Sequence, residues 1–137
     1  MTFKTLTAVL PIAVALIANP ATGTATAAPA PSCTFTFYTG TVYDQHGQII
    51  GGGYAECTTA PAAFSLNLTL QFKPRGGDWT TRSTQPSIQI PAPRLNIATN
   101  ADCEDGAWKG VAAIWETAAD GTTTQTAFPS APRIMTC

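Results

Sequence analysis

Few residues of this chain could do chemistry, and they form no recognisable catalytic motif. The chain has one histidine, His46, which lies two residues after Asp44 and next to Gly47 in a turn-rich stretch. A Ser-His-Asp hydrolase also needs a serine presented as a nucleophile, and no serine of the chain lies in a Gly-x-Ser-x-Gly motif. The sequence therefore predicts a solvated turn histidine and no catalytic residue.

The densest group of carboxylates is Asp102, Glu104 and Asp105, next to Gly106. Calcium takes oxygen ligands of this kind, and paired carboxyl groups can act as acid and base in glycoside hydrolysis. The spacing does not match a complete metal-binding loop, and the chain has no second acidic cluster for a hydrolase. The Gly51–Gly53 run lacks the lysine of a phosphate-binding loop. We expect a turn between strands here, with neither a metal nor a cofactor.

The aromatic residues are the stronger functional lead. The chain has three tryptophans and three tyrosines, which could stack on sugars or anchor a protein interface where they are exposed. Trp108 and Trp115 are expected in the core. Trp79 follows a Gly-Gly-Asp turn and precedes Arg82, so Trp79 and Arg82 form the predicted contact site.

The four cysteines, Cys33, Cys57, Cys103 and Cys137, are expected to form two disulfides, for which three pairings are possible. Cys33–Cys57 with Cys103–Cys137 is favoured, because each bond would close a predicted hairpin region. An immunoglobulin-like alternative joins Cys57 to Cys103 across two sheets, with a tryptophan packed against the bridge. Cys33 would then pair with Cys137.

The elements that must position these residues are strands. Residues 64–72 alternate strictly between apolar and polar, which predicts a half-buried strand. Its predicted inward residues are Phe64, Leu66, Leu68, Leu70 and Phe72. Residues 33–43 alternate similarly and precede a turn-rich run at 44–53 and a short segment at 54–57. This pattern predicts a hairpin in which Gly51–Gly53 allows a bulge or a close backbone approach.

A second hairpin is predicted near the other end of the chain. Residues 108–116 carry apolar side chains on both faces and are followed by Asp120-Gly121 and a threonine run, so the first strand of this hairpin should be central. A final strand is predicted at residues 133–137, after Pro129 and Pro132.

Shorter candidate strands lie at 79–83 and 87–90, where Pro86, Pro91 and Pro93 confine them to edges or loops. No segment has a helical period. The sequence therefore predicts an all-β fold, an antiparallel β-sandwich, immunoglobulin-like or similar, of about seven short strands with two disulfides.

The N-terminal stretch has the features of a secretion signal. Lys4 precedes an apolar run at 6–18, and small residues end in an A-x-A site at 25–27. The apolar run is shorter than the roughly 20 residues of a membrane helix. We expect residues 1–27 to be a cleaved signal peptide, 28–32 a disordered lead, and 33–137 a single domain that is extracellular and not membrane-bound.

Composition argues against some partners. Beyond residue 27, six lysines and arginines face eight carboxylates, a net charge of −2, which disfavours nucleic-acid binding. Charged residues make up only 11% of the chain, and its 23 threonines favour strands over helices.

Two features resemble known secreted proteins. Two consecutive cysteine pairs, the first opening with Cys33 after a Pro-Ser and the second closing at Cys137, are similar in layout to the small microbial α-amylase inhibitors. That family presents a Trp-Arg-Tyr triplet, where this chain has Trp79-Thr80-Thr81-Arg82. The segment from Cys103 to Trp108, leading through Trp115 to Cys137, resembles the closing half of small secreted actinobacterial disulfide-bonded β-proteins of unknown function. These resemblances carry over no catalytic residue.

Together, the observations favour a secreted, disulfide-stabilised binding module with no catalysis of its own. A protein-interaction or hydrolase-inhibitor module is the leading hypothesis, because a stapled scaffold loses little conformational entropy on docking. A carbohydrate or cell-wall binding module and a structural envelope protein are the alternatives, and a small hydrolase is the least favoured. The expected partner is an extracellular protein or glycan.

Overall fold

The computed structural model describes Gly23 and residues 30–137, and the regular secondary structure of this part of the chain is all β-strand. The predicted signal peptide lies outside the described residues except for Gly23, as do Ala28 and Pro29 of the predicted lead. Among the described residues, no helix is long and apolar enough to cross a membrane.

The described strands form two antiparallel sheets. The strands are β1 (Cys33–Phe37), β2 (Tyr43–Gln45), β3 (Gln48–Cys57), β4 (Ala63–Lys73), β5 (Thr80–Ser87), β6 (Arg94–Asp102), β7 (Gly106–Thr117), β8 (Thr123–Pro129) and β9 (Arg133–Met135). Sheet 1 contains β1, β2, β3 and β6, and sheet 2 contains β5, β4, β7, β8 and β9.

Each sheet has one interrupted edge strand. β1 and β2 both pair with the same side of β3, and β8 and β9 both pair with the same side of β7. The two interruptions meet where the Ala131 amide donates to the Gly40 carbonyl at 3.1 Å. With each interrupted strand counted as one, the described residues form about the seven strands that the sequence predicts.

The order of these strands is immunoglobulin-like, with one exchange between sheets. β3 lies between β1/β2 and β6 in sheet 1, and sheet 2 has the order β5, β4, β7, β8/β9. In a constant-type immunoglobulin domain the fourth strand belongs to the same sheet as the first, second and fifth strands. Here the fourth strand, β5, pairs with β4 instead. The predicted antiparallel β-sandwich is confirmed.

The core lies between the two sheets, and β4 is its main contributor. All five predicted inward residues of β4 are buried, and Leu66, Leu68 and Leu70 are fully so. They pack against inward residues of sheet 1, including Phe37 and Ile97. At roughly 1.5–3 kcal/mol per buried large side chain, β4 is a major source of folding free energy.

The predicted turn-rich run at 44–53 is wrong for most of its length. The turn consists of His46 and Gly47, both with positive φ of 53° and 76°, and β3 already begins at Gln48. This is a two-residue hairpin turn that needs positive φ at both positions. Gly51–Gly53 lies inside β3, where a Cβ at Gly51 would come 2.7 Å from Cδ2 of Leu70. The glycines therefore allow the predicted close approach within a strand.

The region between the two hairpins also differs from its prediction. Instead of short strands at 79–83 and 87–90, β5 is one edge strand through Pro86, with a register shift opposite Leu70 and Gln71. An edge strand accommodates proline because one side of its backbone has no partner strand. β6 is missing from the sequence prediction altogether, although it spans Arg94–Asp102 and forms the edge of sheet 1.

The disulfides are Cys33–Cys57 and Cys103–Cys137, which confirms the favoured pairing. Cys33 and Cys57 are directly opposed on β1 and β3, with their Cα atoms 4.0 Å apart. The alternative bond between Cys57 and Cys103 is therefore wrong, because a neighbouring strand already supplies the partner of Cys57.

The residue before Cys33 makes defined contacts with the domain. Glu116, on β7, is 6% exposed and accepts hydrogen bonds from Ser32 N (2.7 Å), Ser32 Oγ (2.9 Å) and Cys33 N (2.9 Å). Ser32, the last residue of the predicted lead, is thus bound to the opposite sheet. Glu116 fixes where the chain enters β1.

Candidate binding face

All three tyrosines of the chain lie on the outer face of sheet 1. Successive side chains of a strand point to opposite faces, and the neighbours Phe37, Val42 and Ala55 are buried in the core. The outward-facing side chains of β1/β2, β3 and β6 form one continuous surface, because β1/β2 and β6 pair with the two sides of β3. We call it the tyrosine face and define it by Tyr38, Tyr43, Gln48, Ile50, Gly52, Tyr54, Arg94, Asn96, Ala98 and Asn100.

Tyr38 is the most exposed aromatic residue of the face. Its side chain is 55% exposed, yet its hydroxyl donates to Oδ1 of Asn96 at 2.6 Å. Its ring centroid lies 6.0 Å from that of Tyr54, at a tilt of 48°. Tyr38 therefore presents a large ring to solvent in one fixed orientation.

Arg94 is held beside the tyrosines by two contacts. Its guanidinium lies 4.2 Å from the ring centroid of Tyr54, and its Nε donates to Oε1 of Glu56 at 2.6 Å. Glu56 raises the pKa of Arg94, first through this hydrogen bond and then through its charge. Among the described residues, the two Nη nitrogens of Arg94 have no hydrogen-bond partner, so they remain available to a ligand.

The other end of the face carries amide side chains. Asn100 Nδ2 donates to Gln48 Oε1 at 3.0 Å, and Gln48 Nε2 donates to Oδ1 of Asp102 at 2.5 Å. A shallow cavity of about 420 Å³ lies against this end, lined in part by Ile50 and Asn100. A neighbouring cavity of about 510 Å³ continues from Gln48 and Asn100 towards the β6–β7 turn.

The centre of the face is low because its side chains are small. Gly52 on β3 is directly opposite Ala98 on β6. A Cβ at Gly52 would lie 3.2 Å from that of Ala98 and 3.6 Å from the Tyr38 ring. The face therefore has an aromatic end, a low centre and an amide end, and its chemistry is aromatic contact and hydrogen bonding.

The structure does not bring the predicted contact residues, Trp79 and Arg82, into one patch. Trp79 lies on the outer side of sheet 2. The ammonium nitrogen of Lys109 lies over the Trp79 ring, 4.3 Å from the ring centroid. Arg82 lies towards the core side, 4.7 Å from the ring centroid of Phe72, and forms an ion pair with Glu104 at 2.8 Å. The two side chains point to opposite sides of sheet 2.

The predicted acidic cluster is divided among three separate partners. Asp102 accepts from Gln48, Glu104 pairs with Arg82, and Asp105 accepts from the Cys137 amide at 2.7 Å. The described residues contain no group of three or more histidine, cysteine, aspartate or glutamate side chains that could hold a metal ion.

The remaining residues singled out in the sequence have structural positions. His46 is exposed in the β2–β3 turn, as predicted. Trp108 is fully buried against Phe72, with ring centroids 4.8 Å apart, which confirms its place in the core. Trp115 differs, because it is half-buried on the outer face of sheet 2, opposite Ser65 and Gln125.

Four of the ten residues of the tyrosine face were not predictable without β6. Arg94, Asn96 and Asn100 become neighbours of the tyrosines only when residues 94–102 pair with β3. The available signal was the alternation of Leu95, Ile97 and Thr99, which are the buried residues of β6.

No protein-family model matches the chain, and no curated protein matches it. Among solved structures, the chain is similar to OgpA from Akkermansia muciniphila, with 12% identity and a TM-score of 0.39 over 77% of this chain and 30% of that one. It is also similar to a putative beta-galactosidase from Bacteroides fragilis, with 16% identity and a TM-score of 0.37 over 72% of this chain and 16% of that one. The chain thus spans less than a third of the length of either protein.

Proposed function

We propose that this protein is an extracellular binding module that recognises a protein partner through the tyrosine face and catalyses no reaction. The observation that carries the proposal is the pairing of exposed, fixed Tyr38 with Arg94, which is stacked on Tyr54. Tyrosine and arginine are among the residues that most often dominate binding energy at protein interfaces. Tyrosine, glycine and asparagine are also the residues enriched in antibody binding loops.

The rigidity of the face supports the same proposal. Binding costs free energy when side chains must be immobilised, by roughly 0.5–1.5 kcal/mol for each flexible one. Tyr38, Arg94 and Asn100 are already positioned by hydrogen bonds or stacking before any partner arrives. The Cys33–Cys57 disulfide joins β1 to β3 beneath one end of the face.

Two disulfides are typical of proteins that fold in an oxidising compartment, which supports an extracellular site of action. A secreted hydrolase is the narrower hypothesis for the partner, with this chain as its inhibitor. Affinity capture identifies the partner directly.

The test is affinity capture with matched variants. The exported, oxidised protein is immobilised as wild type, as Tyr38→Ser and as Arg94→Ser, and culture supernatant and cell-envelope extract are passed over each. Arg133→Ser is the matched control, because Arg133 is exposed on β9 in sheet 2. Thermal unfolding checks that every variant is folded.

We expect one dominant protein on the wild type and on Arg133→Ser, with at least about tenfold less on the two face variants, since loss of a hot-spot residue costs about 2 kcal/mol or more. Equal retention by the wild type and both face variants would contradict the proposal. Retention of no protein would also reject it.

Glycan binding is a second candidate, favoured by the amide end of the face. Gln48 and Asn100 line both shallow cavities there, and Asp102 lines one of them. Ligand sites combine a few placed polar groups with a concave surface. In the same experiment, soluble cell-wall glycans would be retained by the wild type and lost with Asn100→Ala. Retention of glycan without any protein would replace the first candidate by the second.

A further inference from the structure

A second concave site lies at one end of sheet 2, away from the tyrosine face. The β4–β5 turn, the start of β7 and the end of β9 border an open cavity of about 500 Å³, within the usual range of volumes for small-ligand sites. We call it the end cavity and define it by Lys73, Pro74, Arg75, Gly106, Ile134 and Met135.

The walls of the end cavity are mainly apolar. Pro74, Ala107 and Met135 contribute to them, and Ile134 is 74% exposed at the cavity. Gly106 lets this wall pack closely against the end of β4: its φ is +152°, and a Cβ there would lie 2.7 Å from the Lys73 carbonyl oxygen. A ligand that covered Ile134 would remove a large apolar side chain from water, which is favourable.

The charged groups of the end cavity favour an anion. Lys73 and Arg75 line it, and neither forms an ion pair with any described residue, since the pairs found there are Arg82–Glu104 and Arg94–Glu56. Asp105 is the carboxylate of the lining, and its Oδ1 already accepts from the Cys137 amide. Counting side chains only, two cations and one carboxylate leave the lining with one net positive charge.

The end cavity is also held open before any ligand binds. The Cys103–Cys137 disulfide and the Cys137–Asp105 hydrogen bond fix the chain that follows β9 against the segment before β7. The disulfide and the hydrogen bond therefore restrain the position of the wall formed by Ile134 and Met135.

We propose that the end cavity binds a small carboxylate that carries an apolar chain, with the carboxylate at Lys73 and Arg75 and the chain against Ile134 and Pro74. The single negative charge matches the net charge of the lining, and the chain matches its apolar walls. This site is separate from the tyrosine face, so either proposal can fail without the other.

The test is an NMR titration of the oxidised, isotope-labelled protein with octanoate, octan-1-ol and octylammonium. We expect saturable octanoate binding, with shifts centred on the amides of Gly76, Gly106 and Ile134. Octanol should bind about tenfold more weakly because it lacks the charge-assisted contacts, and octylammonium should not bind.

Variants separate the two halves of the site. Lys73→Gln with Arg75→Gln and, separately, Ile134→Ser should each weaken octanoate binding about tenfold, and Arg133→Gln should leave it unchanged. Asp105→Asn keeps the acceptor oxygen for Cys137 and removes a negative charge, so it should strengthen binding. Equal affinity for octanol and octanoate, shifts outside the end cavity, or no saturation at millimolar octanoate would each overturn the proposal.

Discussion

At the scale of single residues, Glu116 organises the start of the domain. One buried carboxylate receives hydrogen bonds from two consecutive residues, Ser32, which precedes β1, and Cys33, which begins β1 in the opposite sheet. Hydrogen bonds to charged groups contribute more than neutral ones, and a buried donor left unpaired is costly. The position of β1, and with it the edge of the tyrosine face, depends on this carboxylate.

We predict that Glu116→Gln lowers the free energy of unfolding by about 1–3 kcal/mol. The glutamine NH2 group would replace a carboxylate oxygen that accepts a hydrogen bond, so two donors would face each other. Urea unfolding measures the change. Glu56→Gln is the control, since Glu56 forms an exposed ion pair with Arg94 and such pairs contribute little. Equal unfolding free energies for the two variants would contradict the role given to Glu116.

At the scale of elements, β4 and β6 show what a sequence pattern can specify. β4 alternates leucine and phenylalanine with polar residues without a break, so its strand, its inward face and its burial are all predictable. β6 has only Leu95 and Ile97 as large inward residues, and two prolines precede it. Its pattern becomes decisive only when β3 supplies a partner, which local sequence does not reveal.

The same difference explains why the disulfides were predictable and the tyrosine face was not. Each disulfide joins segments whose hairpin regions are visible in the sequence, whereas the face requires the long-range pairing of β3 with β6. Trp79 and Arg82 are close in sequence, but they are three residues apart in an extended segment, so strand alternation places their side chains on opposite sides of sheet 2.

We predict that Leu68→Ala lowers the free energy of unfolding by about 2–5 kcal/mol, because Leu68 is fully buried in the centre of sheet 2. Thr69→Ala, one residue along and on the outer side of the sheet, should cost far less. Thermal or urea unfolding of both variants checks the difference. A similar cost at the two positions would show that β4 does not anchor the core as described.

At the scale of the whole molecule, the two disulfides cross-link different parts of the sandwich. Cys33–Cys57 closes a sequence separation of 24 and Cys103–Cys137 one of 34. By the chain-entropy relation, loops of these lengths contribute roughly 3–4 kcal/mol each. A domain of this size has only about 5–15 kcal/mol of net stability, so the two bonds together are a large part of it.

We predict that Cys33→Ser/Cys57→Ser and Cys103→Ser/Cys137→Ser each lower the free energy of unfolding by roughly 3–4 kcal/mol, and that full reduction unfolds the domain or nearly so. Calorimetry in the presence and absence of reductant measures this. An unchanged melting temperature after reduction would contradict the account of the scaffold.

The central claim, that the tyrosine face is the binding surface, can be tested by covalent footprinting. All three tyrosines of the chain lie on this face, so a tyrosine-selective reagent reports on no other surface. Acetylation of Lys73 and Lys109 reports on sheet 2 in the same sample. We predict that the complex with the captured partner shows severalfold less labelling of Tyr38 than the free protein, with lysine labelling unchanged. Unchanged labelling of Tyr38 together with protection of Lys109 would contradict the claim and place the interface on sheet 2.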